Sequence, residues 1–126
     1  MVKAVVIVAI GGGLGAMARY GLALWLNPDK LSVMWGTLVA NLLGSFLMGL
    51  FLGWTETQPV PNWLKLLFMI GFCGALTTFS SFAAETLILA IRERMGTAFL
   101  AVVLHTFGSL GSIGVGYALF RYWLAP

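Results

Sequence analysis

The 126-residue chain is about 60% apolar and only 9% charged, with a formal net charge of +3. A soluble domain carries a far larger share of charged residues, so this composition excludes an ordinary water-soluble fold and predicts an integral membrane protein. The 16 glycines agree with this, because small residues let the backbones of membrane helices approach closely.

Four apolar stretches are each long enough to cross the hydrocarbon core of a bilayer, which takes about 20 helical residues. They cover residues 2–26, 34–55, 63–91 and 97–124. The connections contain proline, asparagine, aspartate or charged residues, which end helices at the water boundary: Asn27-Pro28-Asp29-Lys30, residues 56–61, and Arg92-Glu93-Arg94. The predicted fold is therefore an all-α membrane protein, with one four-span domain over residues 1–126.

The first stretch permits two other interpretations. Lys3, the apolar run after it and Ala16-Met17-Ala18 are typical of a cleaved signal peptide, but the apolar character continues as far as Trp25, as in a spanning helix. The segment from Gly11 to Ala16 also fits a loose dinucleotide-binding pattern, without the strand and acidic residue that such a site needs. Close packing against another helix is the better interpretation of these glycines.

The basic residues are almost evenly divided between the two sides of the membrane. Lys3, Lys65 and Arg121 share one side, and Arg19, Lys30, Arg92 and Arg94 lie towards the other. Since orientation follows the excess of lysine and arginine in short loops, this balance predicts insertion in both orientations. Two oppositely oriented copies would form a dimer about an axis in the membrane plane. Four helices alone would also make only a thin wall around an aqueous path, which favours a dimer.

The second stretch contains a polar stripe, since Thr37, Asn41 and Ser45 recur every four residues on one helix face. Such a stripe faces protein or water, not lipid. It serves either to hydrogen-bond a neighbouring helix or, through the two N–H donors of the Asn41 amide, to bind an anion.

The third stretch contains the densest pattern, from Gly71 to Glu85. Glycine followed by paired threonines and serines predicts a helix broken near its middle, which is tolerated only where the freed backbone groups line a cavity or bind an ion. After the break, Thr77, Ser81 and Glu85 fall four residues apart, and Phe79 and Phe82 share a neighbouring face. The phenylalanines are either ordinary packing residues or electropositive ring edges for a small anion, and Glu85 inside a span marks a functional site.

The fourth stretch places His105, Ser109, Ser112 and Gly116 on one face at helical spacing. This face is mostly a packing surface. His105 has no second histidine, cysteine or carboxylate nearby in the sequence, which favours structural hydrogen bonding over a metal site. Nothing pairs a nucleophile with a base, so we expect the chain not to be an enzyme.

Two runs carry a family resemblance. Gly36-Thr37-Leu38-Val39-Ala40-Asn41-Leu42-Leu43-Gly44 and the third-span segment from Gly71 to Glu85 closely resemble the signature of the Fluc/CrcB fluoride channels. Weaker matches at Gly15 to Tyr20 and Gly108 to Leu110 extend the resemblance over the whole chain.

The resemblance implies a bacterial inner-membrane protein that forms an antiparallel, dual-topology homodimer with two pores, through which cytoplasmic fluoride leaves passively. By matching position it implies that Asn41, Phe79 and Phe82 line the fluoride pore, and that Arg19 lies near a vestibule. It further implies a central structural sodium ion held by the backbone carbonyls of Gly74 and Thr77 from both subunits. The remaining implied pore positions are Thr37, Ser81, Glu85 and Ser112.

Two other classes of function remain open from the residues. A proton-coupled exporter of the small multidrug resistance type is also short, four-span and able to insert both ways, but it depends on a carboxylate in the first span, where this chain has Arg19. A purely structural membrane subunit would leave the polar stripe and Glu85 without a role.

Overall fold

The computed structural model describes residues 1–27, 35–92 and 94–125. Within these residues, four helical runs are long and apolar enough to cross a membrane, which confirms the prediction of four spans in an all-α protein. Several predicted boundary residues lie outside the described residues: Pro28, Asp29, Lys30, Met34 and Glu93.

The first two spans are uninterrupted helices, whereas the last two are composite. Helix α1 covers Val2–Leu26 and α2 covers Trp35–Thr57. The third span, Asn62–Ile91, consists of α3 (Asn62–Leu64), a π-helical stretch (Lys65–Cys73), α4 (Gly74–Leu76) and α5 (Phe79–Ile91). The fourth span, Met95–Leu124, consists of α6 (Met95–Val103), a π-helical stretch (Leu104–Gly108), α7 (Ser109–Leu119) and a final π-helical stretch (Phe120–Leu124).

Two residues between α4 and α5 have extended backbone. Thr77 has φ −82° and ψ 152°, and Thr78 has φ −153° and ψ 120°. Thr78 is the N-cap of α5, and its hydroxyl accepts a hydrogen bond from the Ser81 N–H at 3.2 Å. Threonine is a favoured N-cap because its side chain satisfies an N–H that the first turn leaves without an intrahelical partner.

Glycines bring the helix backbones into direct contact. A Cβ atom at Gly11 or Gly15 of α1 would overlap the carbonyl group of Leu67 or Phe72 in the third span. Gly49 of α2 and Gly116 of α7 meet backbone of the opposite helix in the same way. The first-span glycines therefore form a packing surface, as the sequence predicts.

Helix α2 occupies the centre of the fold. In its most apolar stretch of 18 residues, 50% of the residues are buried, whereas the corresponding share in the other three spans is 11–17%. Thr37 and Asn41 are only 6% and 8% exposed, so this part of the predicted polar stripe faces protein and not lipid. The stripe is therefore placed to contact the third and fourth spans.

Candidate functional site

An open cavity of about 560 Å³ lies against the extended residues Thr77 and Thr78. Spans two, three and four all contribute to its wall. The lining residues are Asn41, Ser45, Gly74, Thr77, Thr78, Phe79, Phe82, His105, Thr106, Ser109 and Leu110.

Asn41 is the central side chain of this wall. Its Oδ1 accepts the N–H of Thr78 at 2.7 Å, and its Nδ2 donates to the carbonyl of the same residue at 3.1 Å. The Nδ2 also contacts Nδ1 of His105 at 3.0 Å. Both amide hydrogens of Asn41 thus have protein partners, and one side chain joins three spans.

The hydrogen bonds of Thr78 replace two helical backbone bonds around the extended residues. In an uninterrupted helix the Thr78 N–H would donate to the Gly74 carbonyl, and the Ser81 N–H to the Thr77 carbonyl. Here the Thr78 N–H donates to Asn41, and the Ser81 N–H donates to the hydroxyl of Thr78. The usual donors of the Gly74 and Thr77 carbonyls are therefore diverted, and both residues line the cavity.

Three rings form a continuous aromatic group at the cavity. Phe79 and Phe82 meet edge to face, with centroids 5.4 Å apart and planes at 75°. Phe82 stacks on the His105 ring at 4.5 Å and 24°. Phe82 is 8% exposed and held by these contacts, whereas Phe79 is 78% exposed. Since ring edges carry partial positive charge, this group can attract an anion without a formal charge.

Thr37 and Glu85 make a second polar contact between spans two and three. The Thr37 hydroxyl donates to Oε1 of Glu85 at 2.5 Å. The other carboxyl oxygen, Oε2, is buried without a hydrogen-bond partner among the described residues. Neither residue lines the cavity, so the structure brings these two predicted pore residues together at a separate place.

Arg19 contacts the third span just before its extended residues. Its Nε donates to the Ala75 carbonyl at 3.1 Å, near the carboxyl end of the helical run 62–76. A cation is favoured there because the carbonyl groups that end a helix carry partial negative charge. Arg19 is half-buried, and this bond gives it a role in joining spans one and three.

Two predicted pore hydroxyls lie outside the cavity lining, namely Ser81 and Ser112. Ser81 instead takes part in the N-cap of α5, through its N–H and its hydroxyl, which lies 3.2 Å from that of Thr78. In the fourth span the lining hydroxyls are those of Thr106 and Ser109. The π-helical stretch Leu104–Gly108 has more residues per turn than an α-helix, so α-helical spacing from His105 does not place Ser112 on the same face.

The sequence matches one known family along most of its length. A family model described as "CrcB-like protein, Camphor Resistance (CrcB)" matches residues 6–117. The chain is 47% identical over 117 residues to a protein of Aromatoleum aromaticum, covering 92% of this chain and 89% of the relative. It is 39% identical over 127 residues to one of Paracidovorax citrulli, covering 99% of each chain. A protein of Salmonella arizonae is 41% identical over 122 residues, covering 95% of each.

All three relatives are named "Fluoride-specific ion channel FluC". The shared length includes all four spans, so the likeness is not confined to one motif. The chain is a multi-pass membrane protein that belongs to the CrcB family.

Proposed function

We propose that this chain is a fluoride-selective ion channel, through which cytoplasmic fluoride leaves passively and fluoride toxicity is relieved. The observation that carries the proposal is the 39–47% identity, over nearly the full chain, to proteins named as fluoride-specific channels. The chain is then a channel and not an enzyme, and its site needs only to bind and release an ion.

The cavity has the chemistry that such a pore requires. Fluoride holds water tightly, so a selective path must replace lost hydration with donors, yet bind weakly enough for release. The edges of Phe79 and Phe82 supply weak positive potential without a fixed charge. Asn41 lies beside them, but its two N–H groups already have partners, so an anion at the amide must replace Thr78 or His105.

Other polar residues extend the proposed path beyond the cavity. The pair Thr37 and Glu85 lies one helical turn from Asn41 along α2 and would continue the path in that direction. Arg19 would add positive potential near the end of the path, although its bond to Ala75 ties it to the third span. The hydroxyl groups of Ser81 and Ser112 are the remaining polar groups that we propose along the fluoride path.

The working unit is proposed to be an antiparallel homodimer with two pores, in the bacterial inner membrane. The near balance of basic residues supports insertion in both orientations. Phe79 is 78% exposed beside an open cavity, and a second copy would cover this ring and close the wall. The broken third helix would then lie near the centre of the dimer.

A structural sodium ion at that centre fits the residues present. The Gly74 and Thr77 carbonyls both lose their usual helical donors, and carbonyl oxygens are suitable ligands for a hard cation. When bound, the ion would neutralise the partial negative charge of these carbonyls and hold two subunits together. Replacing sodium by a bulky organic cation should lower the stability of the dimer, as loss of any ligand of the folded state does.

Purified protein in liposomes tests the function directly. Rapid, passive efflux of fluoride but not chloride is expected from the channel. Proton-driven export of organic cations would instead support an exporter of the small multidrug resistance type, which the relatives' names and the absence of a first-span acid disfavour. Silence in both assays would support a purely structural subunit.

A further inference from the structure

His105 has a buried ring nitrogen, Nε2, to which the contacts described above give no role. The side chain is 4% exposed, and its Nε2 has no hydrogen-bond partner among the described residues. Leaving a polar group buried without a partner is costly, so such groups are rare in proteins and call for a reason. His105 also lines the cavity and stacks on Phe82.

The contacts of Asn41 determine which nitrogen of His105 carries the proton. The Thr78 N–H can only donate, so the atom that faces it at 2.7 Å is the Asn41 oxygen. The other amide atom is therefore the nitrogen, which donates to the Thr78 carbonyl. That nitrogen has no acceptor capacity, so its contact with His105 at 3.0 Å requires Nδ1 to accept. A neutral imidazole with an accepting Nδ1 carries its proton on Nε2.

We propose that His105 is a further anion-binding residue of the cavity, which presents Nε2–H to fluoride as a neutral, fixed donor. This inference rests on the proposed channel function. Stacking on Phe82 fixes the plane of the imidazole ring, and the bond from Asn41 fixes its tautomer. Asn41 then acts on the anion largely through His105, as a positioning residue.

The same geometry keeps the donor uncharged. Protonation of Nδ1 would set an imidazolium N–H against the Asn41 N–H, donor against donor. A neutral donor suits conduction, because a fixed positive charge would hold a small anion too long. His105 thus supplies a stronger contact than a ring edge does, without the trapping effect of a lysine or arginine.

Nitrogen NMR of protein carrying isotope-labelled histidine tests the tautomer without measuring transport. The chain has one histidine, so every imidazole signal belongs to His105. We expect a protonated Nε2 and an unprotonated Nδ1, and a shift of the Nε2 signal on adding sodium fluoride but not sodium chloride. A proton on Nδ1, or no response to fluoride in protein that conducts fluoride, would overturn the inference and leave the channel function standing.

Fluoride efflux from liposomes tests the role of the donor. His105→Phe keeps a ring against Phe82 but removes both nitrogens, whereas His105→Gln places an amide N–H near the position of Nε2. We expect His105→Phe to lower the efflux rate about tenfold or more, as loss of a hydrogen bond to a charged group does, and His105→Gln to retain clearly more. Phe107→Leu, at a ring that is 68% exposed outside the cavity on the same span, is the matched control.

The outcomes separate the two levels of the proposal. Wild-type rates in His105→Phe, or equal losses in both variants, would overturn the role of His105 as a donor. If His105→Phe does not fold, the fluoride response of the wild-type Nε2 signal decides. A wild-type protein that conducts no fluoride would overturn the channel function itself.

Discussion

Asn41 makes with Thr78 the pair of hydrogen bonds that a neighbouring β-strand would make. It accepts the Thr78 N–H at 2.7 Å and donates to the Thr78 carbonyl at 3.1 Å, across 37 residues of sequence. Extended backbone inside a membrane span would otherwise leave these groups without partners, which is costly in a bilayer. The amide of Asn41 therefore supplies partners for both backbone polar groups of the extended residue Thr78.

Asn41→Asp should disrupt both the fold and the ion path. An ionised carboxylate still accepts from the Thr78 N–H, but it cannot donate to the Thr78 carbonyl or to His105. We expect a loss of about 1–3 kcal/mol in the free energy of unfolding for each group left without a partner, together with loss of fluoride efflux. Asn41→Ser should be milder. Denaturant unfolding in mixed micelles measures the first effect, and an Asn41→Asp protein as stable as wild type would contradict this role.

Phe79→Ile and Phe82→Ile should each reduce fluoride efflux while the protein still purifies. Isoleucine keeps apolar bulk but lacks the aromatic quadrupole, so a loss of about tenfold is expected for each. Phe82 is 8% exposed within one chain, so its substitution should also lower the stability of the single chain, whereas Phe79 is 78% exposed there and its substitution should affect mainly the contact with a second copy. Phe99→Ile, at a ring that is 72% exposed outside the cavity, controls for the change of residue type. Wild-type rates in both cavity variants would show that the rings only pack.

Thr37→Val tests the contact between the second and third spans. Valine keeps the shape of threonine but removes the only described donor to the Glu85 carboxyl, whose other oxygen already lacks a partner among the described residues. A cost of about 1–3 kcal/mol is expected. Thr55→Val is the control on the same helix, because the Thr55 hydroxyl bonds the Leu52 carbonyl of its own helix and no other span in the described part of the chain. Equal stability changes in the two variants would leave the Glu85 contact without energetic importance.

Two neighbouring glycines of α1 give a sharp test of the packing between spans one and three. Gly15→Ala forces a methyl group into the Phe72 carbonyl, whereas a methyl group at Gly13 meets none of the described residues within 4 Å. We expect Gly15→Ala to cost about 1–3 kcal/mol or more, since backbone must move, and Gly13→Ala to change the free energy of unfolding by less than about 1 kcal/mol. Thermal unfolding of the two variants in the same detergent makes the comparison. Similar melting temperatures would rule out backbone contact at Gly15.

Orientation in the membrane can be tipped by charge. Gln58→Lys and Asn62→Lys add two positive charges to the connection that precedes Lys65, which should bias insertion to one orientation. If the working unit is antiparallel, this variant alone should lose fluoride efflux. Coexpression with a Met95→Lys, Gly96→Lys copy, biased the other way, should restore it. A reporter at the carboxyl terminus that shows one orientation in the wild type would contradict dual topology.

The four spans and the glycine packing of α1 follow from local properties of the sequence. Hydropathy over about 20 residues identifies a span whatever its neighbours are, and glycine clusters signal close backbone approach. The placement of Thr37 and Asn41 away from lipid also follows, because a four-residue repeat on one α-helix has a fixed face.

The contacts within the site depend on how the spans meet, which local properties do not determine. The spacing of polar residues does not predict that Asn41 bonds Thr78 and His105. Thr78 follows Asn41 by 37 positions in the sequence, and His105 follows it by 64. In the fourth span the π-helical stretch Leu104–Gly108 shifts the helical face, so Ser109 lines the cavity and Ser112 does not. The unpartnered Nε2 of His105 appears only once its burial is known.

The backbone contacts at Gly11, Gly15, Gly49 and Gly116 have a mechanical consequence. Where a carbonyl occupies the place of a missing Cβ, two helices cannot slide past each other without first separating. α1 with Lys65–Cys73, and α2 with α7, are therefore two stiff pairs. The hairpin of α5 and α6 is joined by side chains around Leu89, Ala98 and Ala101, and a Cβ atom at Gly96 would meet none of the described residues within 4 Å. Phe79 and Phe82 therefore belong to a part of the bundle that side-chain contacts hold in place, such as the stacking of Phe82 on His105, and not to the pairs locked by backbone contact.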